Sequence, residues 1–600
     1  MHLPRPTTRA VSHLLWIPFL LIAGACTSRP PAAPAAEASD AAFEARKARL
    51  IPQVADHRLQ KWREGYFTSN DPGKYLPGAA MARLLLDRSD SEAIRLMNDR
   101  RSTAEHYHFA AVNWARFIPL FKDVLEPETL ERFCAKAANY AAYLDPGGTE
   151  NHRVMSWTSA GVLPAFLDCE TFGGRPADAA LEVAKEQLRA YVKGLYAAGQ
   201  GEWDSSTYLS FDLNGLLNLY DFSPDPEVRR MADAGLQWLV AAYALKYRDG
   251  MYAGPHFRGF TEGPAAEITD QTGWLWWGSR REPTDQQLRN FLYTMHAATS
   301  DWRPNTILDN IARKNVEGLP VSYTASKPNY WHGLELEPKA GASHEYVHLA
   351  ETYTLGSLAD RHGGQITRWE LVAETDSGPQ HFWGGHPRKS DHRRKKSGHG
   401  YKDGIGRYDQ LAQQDGTLIH MTRAPDDEAV DWTFLAYPEG SFQQVQNGWY
   451  VFQAGSTTVA VYPLGESAAL DTLELTRRAE NGQREAYAQG VLKIRGRDNA
   501  FVLESGTDLN VPDLQTPELR TGDPLRVIYR NASGDRLSAK YQSSERSAAL
   551  KVNDRLRTWP DQPIYNSPYV YAESGILRVS DGRDTYQIDF TGDLPVFSSQ

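Results

Sequence analysis

The spacing of apolar residues changes about halfway along this chain of 600 residues, and this change limits the folds open to it. In residues 41–315 apolar side chains recur every three or four positions, as at Leu181, Ala184 and Leu188. This spacing predicts a series of roughly ten or more amphipathic helices. Pro127 is placed at a helix start, where the N–H that it lacks is not needed. The first half of the chain is therefore predicted to be helical.

From about residue 345 onward the pattern changes to short β-rich runs, such as 432–437 and 458–462, separated by Gly, Asn and Asp. Parallel strands need crossover helices, and none are evident between these runs, so we expect antiparallel pairing. The predicted fold class is therefore α+β and multidomain. Helices are expected in residues 43–330 and an antiparallel β-sandwich in residues 331–600.

The first 25 residues are expected to be a signal peptide for export. Arg5 and Arg9 precede a short apolar run, residues 14–25, which ends in small residues immediately before Cys26. The run is about a dozen residues long, whereas a helix that crosses a bilayer needs about 20. The segment that ends at Cys26 resembles a bacterial lipobox, which implies that Cys26 carries a lipid. The alternative is an ordinary signal peptide cleaved near Ala25.

Residues 26–42 are rich in Pro, Ala, Glu and Ser, and they are expected to form a flexible linker behind the lipid. The signal peptide and the lipid on Cys26 predict a location in the periplasm or at the outer membrane of a bacterium. No later stretch is long and apolar enough to span a bilayer, so the remainder is expected to be a soluble body. Cys134 and Cys169 could form one disulfide bond, but two cysteines cannot form a disulfide framework.

The formal net charge of −10 argues against general nucleic-acid binding, which depends on basic surface facing phosphate. An anionic partner would therefore have to meet a local positive site. Residues 388–402, which include Arg393, hold seven Lys or Arg. This segment is either a solvated surface loop or a flap that contacts an anionic chain.

Asn151, His152 and Arg153 follow two glycines in a predicted connection between helices. A loop that supplies amide, imidazole and guanidinium donors together suits the binding of a carboxylate or of a developing oxyanion. In the alternative, Asn151 caps a helix and His152 is a hydrogen-bonded polar residue with no role in chemistry. The functional interpretation makes Asn151 and His152 candidate catalytic residues.

The segment 199–208 contains a second group of candidates. Trp203 could offer a face for stacking on a sugar ring, beside Glu202. Tyr208 is expected about one turn inside the next helix, with its hydroxyl directed back toward the loop. A tyrosine can act as base or acid if positive charge favours the phenolate, since its ordinary pKa is near 10. Alternatively, the neighbouring serines cap the helix and Tyr208 only packs.

The segment 250–260 is a third candidate, again between predicted helices. His256 and Arg258 are two residues apart, so in an extended backbone both side chains lie on one face. An imidazole beside a guanidinium suits an acidic sugar and a proton transfer, and Tyr252 precedes them. The alternative is a turn in which Arg258 forms a structural ion pair.

Near the predicted domain boundary, His344, Tyr346 and His348 alternate along the sequence and would share one face of a strand. They could complete a cleft or ligate a metal ion. Two histidines are weak support for a metal site, and none is predicted.

Taken in order, the features are an export segment, a helical domain, an Asn-His loop, a Trp-Ser-Tyr loop, a His-x-Arg loop and a β-sandwich. This order resembles the polysaccharide lyases built from an (α/α) toroid and an antiparallel β-sheet, a group that includes chondroitin, hyaluronate, alginate and heparin lyases. The resemblance implies a helical toroid and no cofactor. It implies that Asn151, with Arg258, neutralises a uronate carboxylate. Tyr208 would transfer a proton, with His152 or His256 as partner base.

The predicted function is therefore cleavage of a uronate-containing polysaccharide by β-elimination. The residues expected to bind the substrate are Glu202, Trp203, Tyr252, His344 and Arg393. One alternative is a glycoside hydrolase on a similar toroid, with Glu202 and Asp204 as paired carboxylates. Another is a noncatalytic glycan-binding lipoprotein.

Overall fold

The computed structural model describes most of the chain after the N-terminal segment. The described residues are 35–57, 72–102, 105–257, 266–328, 341, 343–359, 366–387, 408–478, 484–543 and 547–599. Three predicted functional residues, Cys26, Arg258 and Arg393, lie outside these ranges.

Helices occupy the first half, as the apolar spacing predicts. The described α-helices are α1 Ala35–Ala55, α2 Pro72–Leu86, α3 Ser91–Asn98, α4 His108–Phe121, α5 Pro127–Ala137, α6 Glu150–Ala160, α7 Leu163–Phe166, α8 Ala177–Ala198, α9 Leu209–Phe222, α10 Pro226–Lys246, α11 Ile268–Trp277, α12 Asp285–Leu288, α13 Met295–Ala298 and α14 Thr306–Ala312. Pro127 opens α5 as predicted. None of these described helices is long and apolar enough to cross a lipid bilayer.

Four of the helices, α4, α6, α9 and α11, have their N-terminal ends next to one another. The ring of His108 at the start of α4 stacks on His152 at the start of α6, with centroids 3.8 Å apart. Phe109 of α4 meets Phe211 of α9 at 4.8 Å, and Ser210 Oγ of α9 donates to the carbonyl of Ile268 in α11 at 3.1 Å. The intervening helices α5, α8 and α10 carry the chain back to this end.

From residue 321 onward the described chain consists mainly of β-strands. Six two-residue strands pair only with one another, in three two-stranded sheets. The short strands are β1 Thr171–Phe172, β2 Arg175–Pro176, β3 Tyr247–Arg248, β4 Met251–Tyr252, β5 His256–Phe257 and β9 Ile366–Thr367. The others are β6 Val321–Lys327, β7 Ser343–Leu349, β8 Tyr353–Leu358, β10 Trp369–Thr375, β11 Gly378–Gly385, β12 Asp409–Gln414, β13 Thr417–Arg423, β14 Trp432–Ala436, β15 Phe442–Gln446, β16 Trp449–Ala454, β17 Thr457–Leu464, β18 Ser467–Arg478, β19 Arg484–Arg495, β20 Asp498–Gly506, β21 Glu518–Arg520, β22 Arg526–Arg530, β23 Arg536–Lys540, β24 Ala549–Val552, β25 Arg555–Leu556, β26 Tyr565–Asn566, β27 Val570–Glu573, β28 Ile576–Ser580, β29 Thr585–Asp589 and β30 Val596–Ser599.

These strands form three larger sheets within the described residues, and the registered pairs are antiparallel, as predicted. A 13-stranded sheet has the order β18-β19-β14-β11-β10-β8-β7-β6-β26-β27-β28-β29-β30. A six-stranded sheet has the order β12-β13-β20-β17-β16-β15, and a five-stranded sheet runs from β21 to β25 in sequence order.

The three sheets pack in layers, with the six-stranded sheet in the middle. Successive side chains of a strand point to opposite faces. Leu418 of β13 therefore joins the apolar cluster shared with the 13-stranded sheet, and Ile419 joins the cluster shared with the five-stranded sheet. Phe501 and Val502 of β20 divide in the same way. Because the middle sheet is covered on both faces, its central strands β17 and β20 contain the continuous apolar runs 459–461 and 500–503.

The last strands return to the helices. Tyr565, Val570, Leu577 and Ile588, from β26 to β29, belong to the same apolar core as the helices. These strands extend the 13-stranded sheet beside β6, the first strand after the helices. The helices therefore share their core with the last strands of the chain, whereas the sheets enclose further apolar clusters of their own.

One disulfide bond joins Cys134 of α5 to Cys169, which follows α7. The Cα atoms are 5.3 Å apart, within the ordinary range for such a bond. The sequence left this pairing open, and the structure forms it.

Candidate active site

Asn151 and His152 lie in the first turn of α6, and this corrects the prediction that they belong to a loop. Gly148, with φ of +101°, ends the preceding turn, and Thr149 is the extended residue before the helix. Asn151 is fully buried, and its Oδ1 accepts a hydrogen bond from Thr149 Oγ1 at 3.2 Å. Its Nδ2 is buried and finds no acceptor in the part of the chain that the structure describes. His152 is partly exposed.

Tyr208 is the residue immediately before α9, not a residue one turn inside it. Its backbone N–H donates to Ser205 Oγ at 2.9 Å, so the serine turns the chain into the helix, as the structural alternative expected. The ring is partly exposed and lies 6.2 Å from Phe211. Tyr208 therefore lies at the N-terminal end of α9, where its ring is partly exposed.

His152 and Tyr208 lie at the same end of the helices, joined by aromatic contacts. Phe109 lies 5.8 Å from the His152 ring and 4.8 Å from Phe211, which in turn contacts Tyr208. Lys74, near the start of α2, places its Nζ 4.0 Å from the centroid of Phe109. The result is a partly exposed surface of aromatic and imidazole rings with a cation above it.

The N-terminal ends of α4, α6, α9 and α11 direct the positive ends of their helix dipoles toward this surface, although Glu150, Asp212 and Asp270 lie in the first turns of α6, α9 and α11. None of the four makes a capping hydrogen bond from the side chain of its N-cap residue. Acceptors from other segments nevertheless occupy some of the terminal N–H groups, since Asn151 N–H donates to Glu202 and Ser210 N–H donates to Thr269 Oγ1. Burial, together with His152 and Lys74, lowers the pKa of His108 to about 3, so His108 is neutral at physiological pH.

Glu202 and Trp203 are buried, which corrects the expectation that they form an open sugar-binding face. Glu202 is 0% exposed, and its carboxylate accepts the N–H of Asn151 at 3.2 Å. Trp203 is 1% exposed and packs against Phe257 and Leu358. Both side chains support the loop from inside.

Asp204 and Tyr252 belong to a buried network of charges at the junction of helices and sheet. Asp204 Oδ2 lies 2.8 Å from the Nζ atoms of both Lys246 and Lys327. The same two lysines contact Glu345 of β7 at 3.0 and 3.3 Å. Tyr252 donates its hydroxyl to Asp204 Oδ1 at 2.8 Å. Two carboxylates thus balance two ammonium groups, which marks these residues as structural.

His256 is 1% exposed and lies in β5, the extended geometry predicted for it. Its Nε2 is 3.9 Å from Glu370 Oε2 in β10, and burial and Lys246 lower its pKa to about 3. His381 of β11 is partly exposed and lies 3.3 Å from the other oxygen of Glu370. Sequence reasoning missed His381, although it stands in a β-rich run with polar neighbours. A neutral, buried His256 is a poor candidate for direct contact with substrate.

His344 lies on β7, where strand alternation with Tyr346 and His348 is as predicted, but the two histidines have different neighbours. His344 Nε2 is 3.6 Å from Asp561, and its ring is 5.9 Å from Trp559. His348 Nδ1 pairs with Ser322 Oγ at 2.8 Å. Within the described ranges no group of three or more His, Cys, Asp or Glu side chains could hold a metal ion.

Comparisons with known proteins give weak similarities. No protein-family model matches the chain, and no curated protein matches it. Among solved structures, a mutant of the heparan sulfate lyase HepC from Pedobacter heparinus is 11% identical over 80% of both chains, with a TM-score of 0.34. HepC itself is 10% identical over 82% of this chain and 79% of its own, with a TM-score of 0.32.

A heparinase III with methylated lysines is 10% identical over 80% of this chain and 72% of its own, with a TM-score of 0.29. Structural similarities with TM-scores this low carry no argument about the function of this chain.

Proposed function

We propose that this protein is a polysaccharide lyase that cleaves a uronic-acid-containing polysaccharide by β-elimination. One observation carries the proposal. His152 and Tyr208, two partly exposed groups able to transfer protons, share a surface with Lys74 at the joined N-terminal ends of four helices. A uronate supplies both an anion that Lys74 can attract and the acidic C–H bond that a base can attack.

The reaction needs three tasks from these residues. As the resemblance implies, Arg258 and the side-chain amide of Asn151 neutralise the uronate carboxylate, so that negative charge can spread into it. Asn151 is 0% exposed and its Nδ2 has no acceptor in the described part of the chain, so this role requires the start of α6 to open when the substrate binds. A base, Tyr208 or His152, takes the C5 proton. The C5 electron pair forms the C4=C5 double bond, the C4–O bond breaks, and the leaving oxygen takes a proton from the partner group. We propose Arg393 as a further contact to the anionic chain.

The hydrolase alternative is weaker because its two carboxylates are engaged elsewhere. Glu202 and Asp204 are 0% and 1% exposed. Glu202 accepts the N–H of Asn151, and Asp204 is held by two lysines. An inverting or retaining pair must flank an open glycosidic bond, which these side chains do not do.

A panel of polysaccharides tests the proposal. The protein is incubated with alginate, glucuronan, hyaluronan, chondroitin and heparin, and the near-ultraviolet absorbance of a 4,5-unsaturated uronate is followed. We expect absorbance to rise with at least one of them. Reducing ends without that absorbance would identify a hydrolase, and binding without either signal would identify a glycan-binding protein.

The substitution Tyr208→Phe tests whether the active site includes Tyr208. On the substrate found in the panel, we expect kcat to fall by about 100-fold or more, the usual contribution of a proton-transfer group. Tyr220→Phe is the matched control, because Tyr220 is a partly buried tyrosine near the other end of α9. Asn151→Ala should be similarly inactive. Full activity of folded Tyr208→Phe would mean that the reaction occurs elsewhere.

We also propose that the protein is exported and held at a bacterial membrane by a lipid on Cys26. The support is the sequence of residues 1–26 alone. Mass measurement of the mature N-terminus tests this: a diacylated or triacylated Cys26 is expected, and an unmodified N-terminus near Ala25 would refute the anchor.

A further inference from the structure

The rings of His108 and His152 are stacked face to face at the candidate active site. His108 is the first residue of α4, and His152 lies in the first turn of α6. The ring centroids are 3.8 Å apart, and the ring planes meet at 20°. The ring of Phe109 approaches His152 at 5.8 Å and at an angle of 73°. Both histidines are partly exposed, and one face of the His152 ring is covered by His108.

The backbone of Gly148 lies against a different side of the His152 ring. A Cβ atom at residue 148 would lie 2.5 Å from His152 Nδ1 and 3.2 Å from its Cγ. A separation of 2.5 Å is well inside van der Waals contact, so any larger residue here would displace the imidazole. Gly148 also has a φ of +101°, which glycine adopts without a steric penalty. This glycine therefore serves both the turn before α6 and the space that His152 occupies.

His108 stays neutral while it is stacked. Burial, followed by His152 and Lys74, lowers its pKa to about 3. At neutral pH the His152 ring therefore rests on an uncharged imidazole, and no positive charge on His108 repels it.

These two contacts limit the rotation of the His152 side chain. The ring of His108 blocks movement toward one face, and Gly148 lies against the edge that carries Nδ1. Because His108 belongs to α4, it holds the ring from outside α6, whose start must open for Asn151 to reach a substrate. A proton-transfer group is effective only when it is held within reach of the proton that it moves.

We propose that His108 is a positioning residue, which by ring stacking holds His152 in the orientation needed for proton transfer, and that Gly148 provides the space for that orientation. The effect on catalysis rests on the proposed lyase function. The hold on the His152 ring does not, and it can be measured without any substrate.

The first experiment measures that hold in the full chain without substrate. Diethyl pyrocarbonate acylates accessible imidazoles, and His152 is the only histidine of the tryptic peptide 137–153, so mass spectrometry can follow its modification alone. Removal of the stacked ring in His108→Ala should make His152 react severalfold faster. His108→Phe keeps an aromatic ring that can stack, so its rate should stay near that of the wild type. Equal rates in all three proteins would overturn the proposed hold, whatever the polysaccharide panel gives.

Activity on the substrate found in the panel separates positioning from a merely structural role. His108→Ala should lower kcat by about tenfold or more and change KM by less than about twofold, because the substrate still binds while His152 is misplaced. His108→Phe should restore most of the lost kcat, because stacking needs an aromatic face and not an imidazole nitrogen. If His108→Phe is as slow as His108→Ala, or if KM rises in place of the fall in kcat, the positioning role is wrong.

The substitution Gly148→Ala tests the hold from the other side of the ring, and it should also lower kcat by about tenfold or more. Gly174→Ala is the matched control, because Gly174 has a φ of +80° but a Cβ there would meet no atom of the described chain within 4 Å. Both substitutions strain the backbone, and only the first displaces His152. Equal kcat values in the two variants would refute the role of Gly148. A panel without unsaturated product, together with faster modification of His152 in His108→Ala, would refute the lyase function and leave the hold intact.

Discussion

At the scale of single residues, Asp204 illustrates how burial and charge act together. Burial alone would raise the pKa of its carboxyl, but Lys246 and Lys327 outweigh burial and lower that pKa. The residue also holds the left-handed backbone conformation, with φ of +54°, which a short polar side chain tolerates. The lysines come from α10 and β6, so one carboxylate joins a helix and a sheet to the loop that leads to Tyr208.

We predict that Asp204→Asn costs about 3–5 kcal/mol of folding stability, because it leaves two buried ammonium groups with one carboxylate. Urea denaturation measures this cost. Asp554→Asn is the control, since the pair of Asp554 with Arg536 is exposed and should contribute no more than about 1 kcal/mol. Equal effects of the two substitutions would show that the buried network does not need its charge balance.

At the scale of elements, the boundaries of helices decide which residues meet. Sequence patterns placed Asn151 in a loop and Tyr208 inside a helix, and both placements were wrong by a few residues. The local signals, two glycines before α6 and serines before α9, were present in the sequence. Tertiary contacts chose among them, because Glu202 and Glu150 fix the two segments against each other.

The disulfide bond between α5 and the segment after α7 should contribute measurably to the stability of the fold. It joins residues 35 positions apart, linking α5 to the segment after α7. Restricting a loop of this size in the unfolded chain is expected to stabilise the fold by about 2–4 kcal/mol. Thermal melting with and without a thiol reductant should show the loss. The double variant Cys134→Ser, Cys169→Ser is the control and should not respond to reductant; an unchanged wild-type Tm on reduction would contradict the prediction.

At the scale of the whole molecule, the C-terminal strands stabilise the N-terminal helices. Leu577 of β28 belongs to the helical core, whereas Leu550 of β24 belongs to the cluster between the six- and five-stranded sheets. Both are buried leucines, with 1% and 4% exposure. Because the two leucines are similarly buried but pack in different clusters, their substitutions can be compared directly.

We predict that Leu577→Ala lowers the melting temperature of the helical signal, because a buried Leu→Ala change costs about 2–5 kcal/mol in the core that contains it. Leu550→Ala should affect mainly the β-layers. Far-ultraviolet circular dichroism at a helix wavelength measures the unfolding of the helices, and calorimetry measures the unfolding of the helices and of the β-layers. If Leu577→Ala leaves the melting temperature of the helical signal unchanged, the helices fold independently of the last strands.

Some of this organisation is readable from the sequence because it depends on local physics. The period of the apolar residues determined helices first and antiparallel strands later, and Pro127 marked a helix start. The acidic balance was equally legible, whereas the positions of Asn151 and Tyr208 relative to the helix starts were not. Each of these signals acts within a few residues, where backbone geometry and side-chain spacing are enough.

Only the tertiary structure decided which polar residues are buried and which face solvent. Trp203, Glu202 and His256 look like open functional groups in the sequence, yet contacts from distant strands bury them. Likewise, no local pattern links β26 to the helices or places the carboxylate of Glu150 against the backbone of Gly201 and Glu202. Burial and contacts of this kind arise from the summed packing of remote segments, so spacing along the chain could not determine them.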